Sequence, residues 1–202
     1  MKKFKFIADF EGEEKYLNQM AQKGLHLKKY NSLGVYTFKE GKPKNSSYRI
    51  DYRQFPNGAK FDEYCTLFED AGWRHVYGTP RSGAQYFLPI PNKAQDGDIF
   101  SDTESRMGRY KRFATQSTIS FIIMLAYFII AIPKDFVFFD IRSLYYTEGL
   151  WGMTGSMFWK AFLFETPFVL IRVIPLLVVG YMATIYAYGA IKSKSLYTKN
   201  II

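Results

Sequence analysis

Residues 113–133, FATQSTISFIIMLAYFIIAIP, carry no formal charge. As a helix rising about 1.5 Å per residue they reach about 30 Å, the thickness of a bilayer's hydrocarbon core. The stretch reads as a first transmembrane helix and divides the chain. Arg106, Arg109, Lys111 and Arg112 stand directly before it. Positive charge beside a span tends to stay in the cytoplasm, so the residues before it are expected there, with those four cations against anionic lipid. A second span is expected over residues 166–191. Within it residues 173–191 are uncharged, Pro167 and Pro175 are tolerated as in other membrane helices, and Lys192, Lys194 and Lys199 mark the cytoplasmic end. Both termini then face inward, in a multi-pass protein of the cell membrane. Between the spans, residues 134–165 mix charges with Phe136, Phe138, Phe139, Tyr145, Tyr146, Trp151, Phe158 and Trp159, as expected of an extracytoplasmic segment with its rings at headgroup depth.

The net charge of +9 is spread along the chain. Eighteen Lys and Arg oppose fourteen Asp and Glu through Tyr110, and nine oppose four after it. With spans present, the lipid bilayer is the partner this excess implies. No recognition-helix or RNA-platform pattern points to nucleic acid. The single Cys65 excludes an intrachain disulfide and a thiolate metal cluster. The start, MKKFKFIADF, breaks at Asp9 before an apolar core forms, so a cleavable signal is not expected.

The front of the chain alternates between two periods. Phe4, Phe6, Ala8 and Phe10 recur every second residue, a strand; Tyr16, Leu17, Met20 and Ala21 fall at helical spacing, with Gly24 as the cap. Two short strands follow near residues 26–30 and 35–40, joined by a turn over 31–34. The order then recurs. Tyr48, Ile50 and Tyr52 mark a strand; Phe61, Tyr64, Cys65 and Phe68 a helix closed by Gly72; residues 73–77 and 85–89 a hairpin. YLNQMAQKGLHL aligns with YCTLFEDAGWRH without a gap. The expected fold class is α+β: a duplicated strand-helix-strand-strand cytoplasmic domain, residues 1–91, followed by two transmembrane helices. Residues 92–112 form the connection, in which Ser101 and Glu104 make a capping box that opens a basic helix, and residues 192–202 form a cytoplasmic tail.

No nucleophile elbow, zinc-protease, P-loop or dinucleotide motif occurs, so no enzyme and no cofactor is expected. His26, His75 and Cys65 are too few for a metal centre. Glu13, Glu14, Asp62 and Glu63 lie near helix starts, where the macrodipole accounts for them. The aromatic load is left over: Tyr36, Phe38, Tyr52, Trp73 and Tyr86 populate more than one sheet face. They are the candidate lining of a site for a small hydrophobic ligand, or of a homodimer or membrane contact. Glu165 and Arg172, seven residues apart on one face of the second span, are the candidate intramembrane polar pair, either structural or turned toward a partner membrane protein.

The stretches EEKYLNQMAQKGLHLKKY (13–30), YRIDYR (48–53), DEYCTLFEDAGW (62–73) and IFSDTESRMGRYKR (99–112) resemble the bacterial membrane-protein family filed as domain of unknown function 2812. The chain departs from that pattern at Leu25 and at residues 84–87, where such proteins carry Trp. The resemblance implies no activity. It does imply a regulatory setting, since members are often encoded beside PadR-type transcription regulators. The duplicated order also looks like effector-binding folds of the gyrase-inhibitor type, an analogy of fold alone. The expected function is a membrane-tethered cytoplasmic sensing or regulatory interaction module; the alternative is an accessory subunit of a membrane transporter or channel assembly.

Overall fold

Asp9 decides where the first helix begins. In the computed structural model its backbone is extended and its side chain accepts from the Gly12 N–H, so α1 runs Phe10–Gln22. This local cap overrides the period-two pattern expected to carry a strand to Phe10. β1 is only Lys2–Phe4, and Phe10 becomes the first helical residue. The structure describes residues 1–201 except 6, 8, 32, 33, 92, 94–97 and 133–139. The expected strand positions Phe6 and Ala8, part of the first turn, most of the 92–97 connection, and Phe136, Phe138 and Phe139 therefore lie outside the described residues.

β2 (Leu25–Asn31) and β3 (Val35–Glu40) follow α1, and β3 sits between β1 and β2 in an antiparallel sheet. β4 (Arg49–Tyr52), α2 (Gly58–Asp70), β5 (Trp73–Tyr77) and β6 (Ala84–Pro89) come next, with β6 between β4 and β5 in a second antiparallel sheet. Asn57 caps α2 by accepting from the Lys60 N–H at 2.9 Å, a role its short polar side chain fills well. Gly24 and Gly72 follow the two helices with φ of 76° and 89°. At Gly24 a Cβ would also lie 2.5 Å from the Gly41 carbonyl oxygen. Gly24→Ala is expected to cost at least about 1 kcal/mol, read as a lowered urea midpoint, because left-handed backbone and a fixed carbonyl both oppose the methyl group.

Alternation in the second sheet gives it two buried faces. Ile50 and Tyr86 face α1; Phe87 faces α2. α1 also packs on Tyr36 and Phe38 of the first sheet, so it covers one face of both sheets, which adjoin at β2 and β5 where the Tyr77 hydroxyl donates to the Tyr30 carbonyl, and it fills one core with Tyr16, Leu17, Met20 and Ala21. A smaller core under α2 holds Tyr64, Trp73 and Phe87. One helix serving two sheets is why the aromatic load exceeded what two single-faced helices would need.

α3 runs unbroken from Thr103 to Ala131, and α4 from Gly155 to Ile201 through both Pro167 and Pro175. The cap of α3 is Asp102, which accepts from the Ser105 N–H at 2.7 Å, one residue after the expected Ser101. Two compact units result, Met1–Gln116 with Gly189–Ile202, and Ser117–Tyr188. In the first unit Leu196 and Tyr197, expected in a tail, are helical and pack against the α1 core. In the second, Tyr145 stacks on Phe162 at 5.1 Å and meets Trp151 edge-on at 5.4 Å. Short 3-10 turns cover Ile141–Leu144 and Leu150–Gly152. Both α3 and α4 are long and apolar enough to cross a membrane, and Ile122, Ile130, Leu163 and Ile171 among others are exposed.

Candidate functional site

The most strongly constrained chemistry lies where α3 meets α1 and β4. Arg109 is 1 % exposed. It donates to Glu14 at 2.7 Å, to Glu11 at 2.8 Å and to the Ile50 carbonyl at 2.6 Å. Glu14 in turn accepts from the Ile50 N–H at 3.1 Å, so the arginine and glutamate together close both backbone groups of one β4 residue. One turn further, Arg112 donates to Asp51 at 2.6 Å and to the Tyr52 carbonyl at 2.5 Å, while the Tyr64 hydroxyl donates to Asp51 at 2.8 Å. Arg106, more exposed, reaches Glu11 at 3.7 Å and Asp98 at 3.6 Å. Charges removed from water persist only where they are paired and hydrogen-bonded. Burial opposes the charge on Arg109, but Glu14 and Glu11 outweigh it and hold the guanidinium firmly protonated. At Glu11 burial pushes the carboxyl up, and the Tyr110 hydroxyl and Arg109 together bring it below the ordinary value.

Glu13, the neighbouring carboxyl on α1, makes no ion pair among the described residues. One of its oxygens accepts from Tyr36 of the first sheet at 2.9 Å and from Tyr86 of the second at 2.7 Å. Burial, with smaller contributions from Glu14 and Asp9, overcomes the two hydroxyls and lifts it to about 7.

Sequence reasoning expected Arg106, Arg109, Lys111 and Arg112 at lipid headgroups. Here Arg106, Arg109 and Arg112 are committed to carboxylates of the α+β unit, and Lys111 lies 5.9 Å from the Tyr197 ring centre. Of the five aromatic candidates, Tyr36, Phe38 and Tyr86 are buried in the α1 core, Tyr52 packs against its edge on Phe10 and Phe113, and Trp73 lies in the other core. They do not converge on one cleft. Glu165 and Arg172 do meet, at 3.5 Å. Glu165 also accepts from the Tyr146 and Thr147 N–H groups, and Arg172 donates to the Leu144 carbonyl at 3.0 Å, its guanidinium 4.0 Å from the Tyr146 ring centre.

Glu13 and Glu14 were the residues missed, assigned to the helix dipole. Their signal was in the spacing. Glu13 falls on the stripe of Leu17, Met20 and Ala21, and Arg106, Arg109 and Arg112 recur every third residue beside Met107 and Tyr110, one face of a helix that docks on protein. Among the described residues no three His, Cys, Asp or Glu side chains are arranged to hold a metal ion.

Two small antiparallel sheets with two helices, locked by the buried Arg109 to a helix that continues as an apolar rod, define a class: an α+β domain joined to two long apolar helices. The chain belongs to the family described as Protein of unknown function (DUF2812), which matches residues 9–123. The match opens at the α1 cap, takes in the whole arginine–carboxylate cluster and ends inside α3. No curated protein and no solved structure matches the chain.

Proposed function

We propose a non-catalytic sensing or protein-interaction module anchored in the cell membrane, with the α+β unit in the cytoplasm, α3 and α4 as spans, and both termini on the cytoplasmic side. One observation carries this reading. The helix that delivers Arg106, Arg109 and Arg112 to the carboxylates of α1 and β4 is the same helix that runs on through residues 113–131 with its isoleucines exposed. Apolar surface of that extent calls for lipid or partner helices. The last turns of α4 add support, since Leu196 and Tyr197 pack on the same unit that holds the start of α3, as a two-span hairpin requires.

We read the α+β unit as an internal duplication. The caps Asp9 and Asn57, the tyrosines Tyr16 and Tyr64, the glycines Gly24 and Gly72, and the bulges that follow Leu27 and His75 are each 48 residues apart. In both sheets the last strand lies in the middle. The alternative, an accessory subunit of a transport assembly, would turn Glu165 and Arg172 toward a partner helix. Both are engaged within their own chain, which favours the anchored module.

Topology is tested by cysteine labelling in a Cys65→Ser background. A Lys2→Cys variant is expected to react with a membrane-impermeant maleimide only after cells are permeabilised, and Glu148→Cys in intact cells. The reverse pattern, or release of the chain by alkaline carbonate, would overturn the reading.

A further inference from the structure

α1 and α2 are each thirteen residues long, yet α1 buries seven side chains and α2 buries Tyr64 alone. Leu67, on α2, is 64 % exposed, and Phe68 is only half-buried. This under-covered side forms one wall of a cleft of about 660 Å³, whose other walls are Phe55, Ile99 and Phe100. Cavities of this size and apolar character are where small ligands bind.

The rim of the cleft is positive. Lys60, Arg53 and Arg112 line it, against Glu63 and Asp51. Lys60 is paired with Glu63 at 2.8 Å and Arg112 with Asp51 at 2.6 Å. Arg53 makes no ion pair among the described residues; its guanidinium lies 5.8 Å from the Tyr64 ring centre. One uncompensated guanidinium beside an open apolar trough is complementary to a molecule with one anionic end and an apolar body. A guanidinium takes a carboxylate or phosphate by paired charged hydrogen bonds.

We infer that this cleft binds an amphipathic anion, with its charged head on Arg53 and its alkyl or aryl body along Leu67, Phe68, Ile99 and Phe100. The inference rests on the sensing reading above and names the ligand chemistry. It also moves the site to the α2 side of the second sheet, away from Tyr36, Phe38 and Tyr86 in the α1 core. The anion has two sources, a free organic acid or an acidic lipid.

The full chain in phosphatidylcholine nanodiscs, with labelled Ile and Leu methyl groups, is titrated with 4-phenylbutyrate. Saturable shifts are expected at Ile99 and Leu67. Arg53→Gln and the neutral probe 4-phenylbutanol should each weaken binding by about tenfold or more, the scale of one charge-assisted hydrogen bond. Leu67→Asp, at an exposed position, should abolish the shifts and leave the remaining spectrum in place. In nanodiscs containing phosphatidylglycerol, shifts present before any acid is added assign the source to lipid, and an unchanged titration assigns it to a free acid. No saturable shift with either anion, or equal affinity for acid and alcohol, overturns the site. Failure of the anchoring reading would show separately, in the cysteine-labelling pattern.

Discussion

Replacing Arg109 with Leu is expected to destabilise the α+β unit by about 3–5 kcal/mol, because it leaves a buried carboxylate without its cation. Glu14 would lose the 2.7 Å contact in a side chain 8 % exposed, and the Ile50 carbonyl would lose its 2.6 Å donor. Urea unfolding read by Trp73 fluorescence, with Trp151 and Trp159 changed to Phe, follows this unit because Trp73 is buried under α2. Three comparisons separate a charge effect from simple loss of packing. Arg106→Leu removes a longer pair, 3.6–3.7 Å at 40 % exposure, and should cost less than about 1 kcal/mol. Arg109→Lys keeps the charge but cannot reach Glu14, Glu11 and the Ile50 carbonyl at once, so its cost should be intermediate. Arg109→Leu combined with Glu14→Gln removes both charges and keeps an acceptor for the Ile50 N–H; it should recover much of the loss. If Arg109→Leu costs no more than Arg106→Leu, the cluster does not hold α3 to the domain.

Much of this fold was legible because local signals and burial agreed. The Val35–Glu40 strand and the Trp73–Tyr77 strand were read within their observed bounds, where alternating side chains sit between Gly or Asn turns. Other positions failed where a tertiary contact chose between two acceptable local readings. Phe10 satisfies a strand period and a helix start equally; the Asp9 cap and the packing of Phe10 on Tyr110 at 4.8 Å and Phe113 at 5.7 Å decide for the helix. The basic run in the first turns of α3 satisfies the positive-inside pattern whether its arginines meet lipid or protein, and only carboxylates 61 to 98 residues earlier in the chain distinguish the two. The aromatic candidates were misplaced for a related reason. Counting faces presumed that two helices cover only one sheet face, whereas α1 covers Tyr36 and Phe38 of one sheet together with Tyr86 of the other, and α2 covers the reverse face of the second sheet at Phe87. The open cleft beside α2 was invisible for the opposite reason. Its apolar stripe of Phe61, Tyr64 and Phe68 reads as a core face, and sequence does not reveal that only Tyr64 is fully covered.

Glu13 makes the unit lose stability as pH rises through the upper acidic range, the reverse of the usual surface carboxylate. The unfolded carboxyl titrates near 4.5, and in the fold burial lifts it to about 7. Below pH 4.5 the group is protonated in both states and its contribution is fully present. Between 4.5 and about 7 the unfolded chain releases a proton that the folded chain still holds, so unfolding is favoured increasingly with pH. A separation of this size is worth about 3 kcal/mol. The groups facing Glu13 do not reverse the sign: Tyr36 and Tyr86 donate to it from the two sheets and oppose the rise, while Glu14 and Asp9 reinforce it. Glu13→Gln keeps an acceptor for both tyrosine hydroxyls and removes the titration. Relative to Glu13→Gln, the native chain is therefore expected to lose about 3 kcal/mol between pH 4.5 and 7 and nothing further above that range. Parallel stability profiles for the two proteins would mean that Glu13 ionises without cost and is not held in a dry core under α1. A gap that opens in the stated window would identify the Tyr36–Glu13–Tyr86 bridge as a protonated link joining the central strands of both sheets.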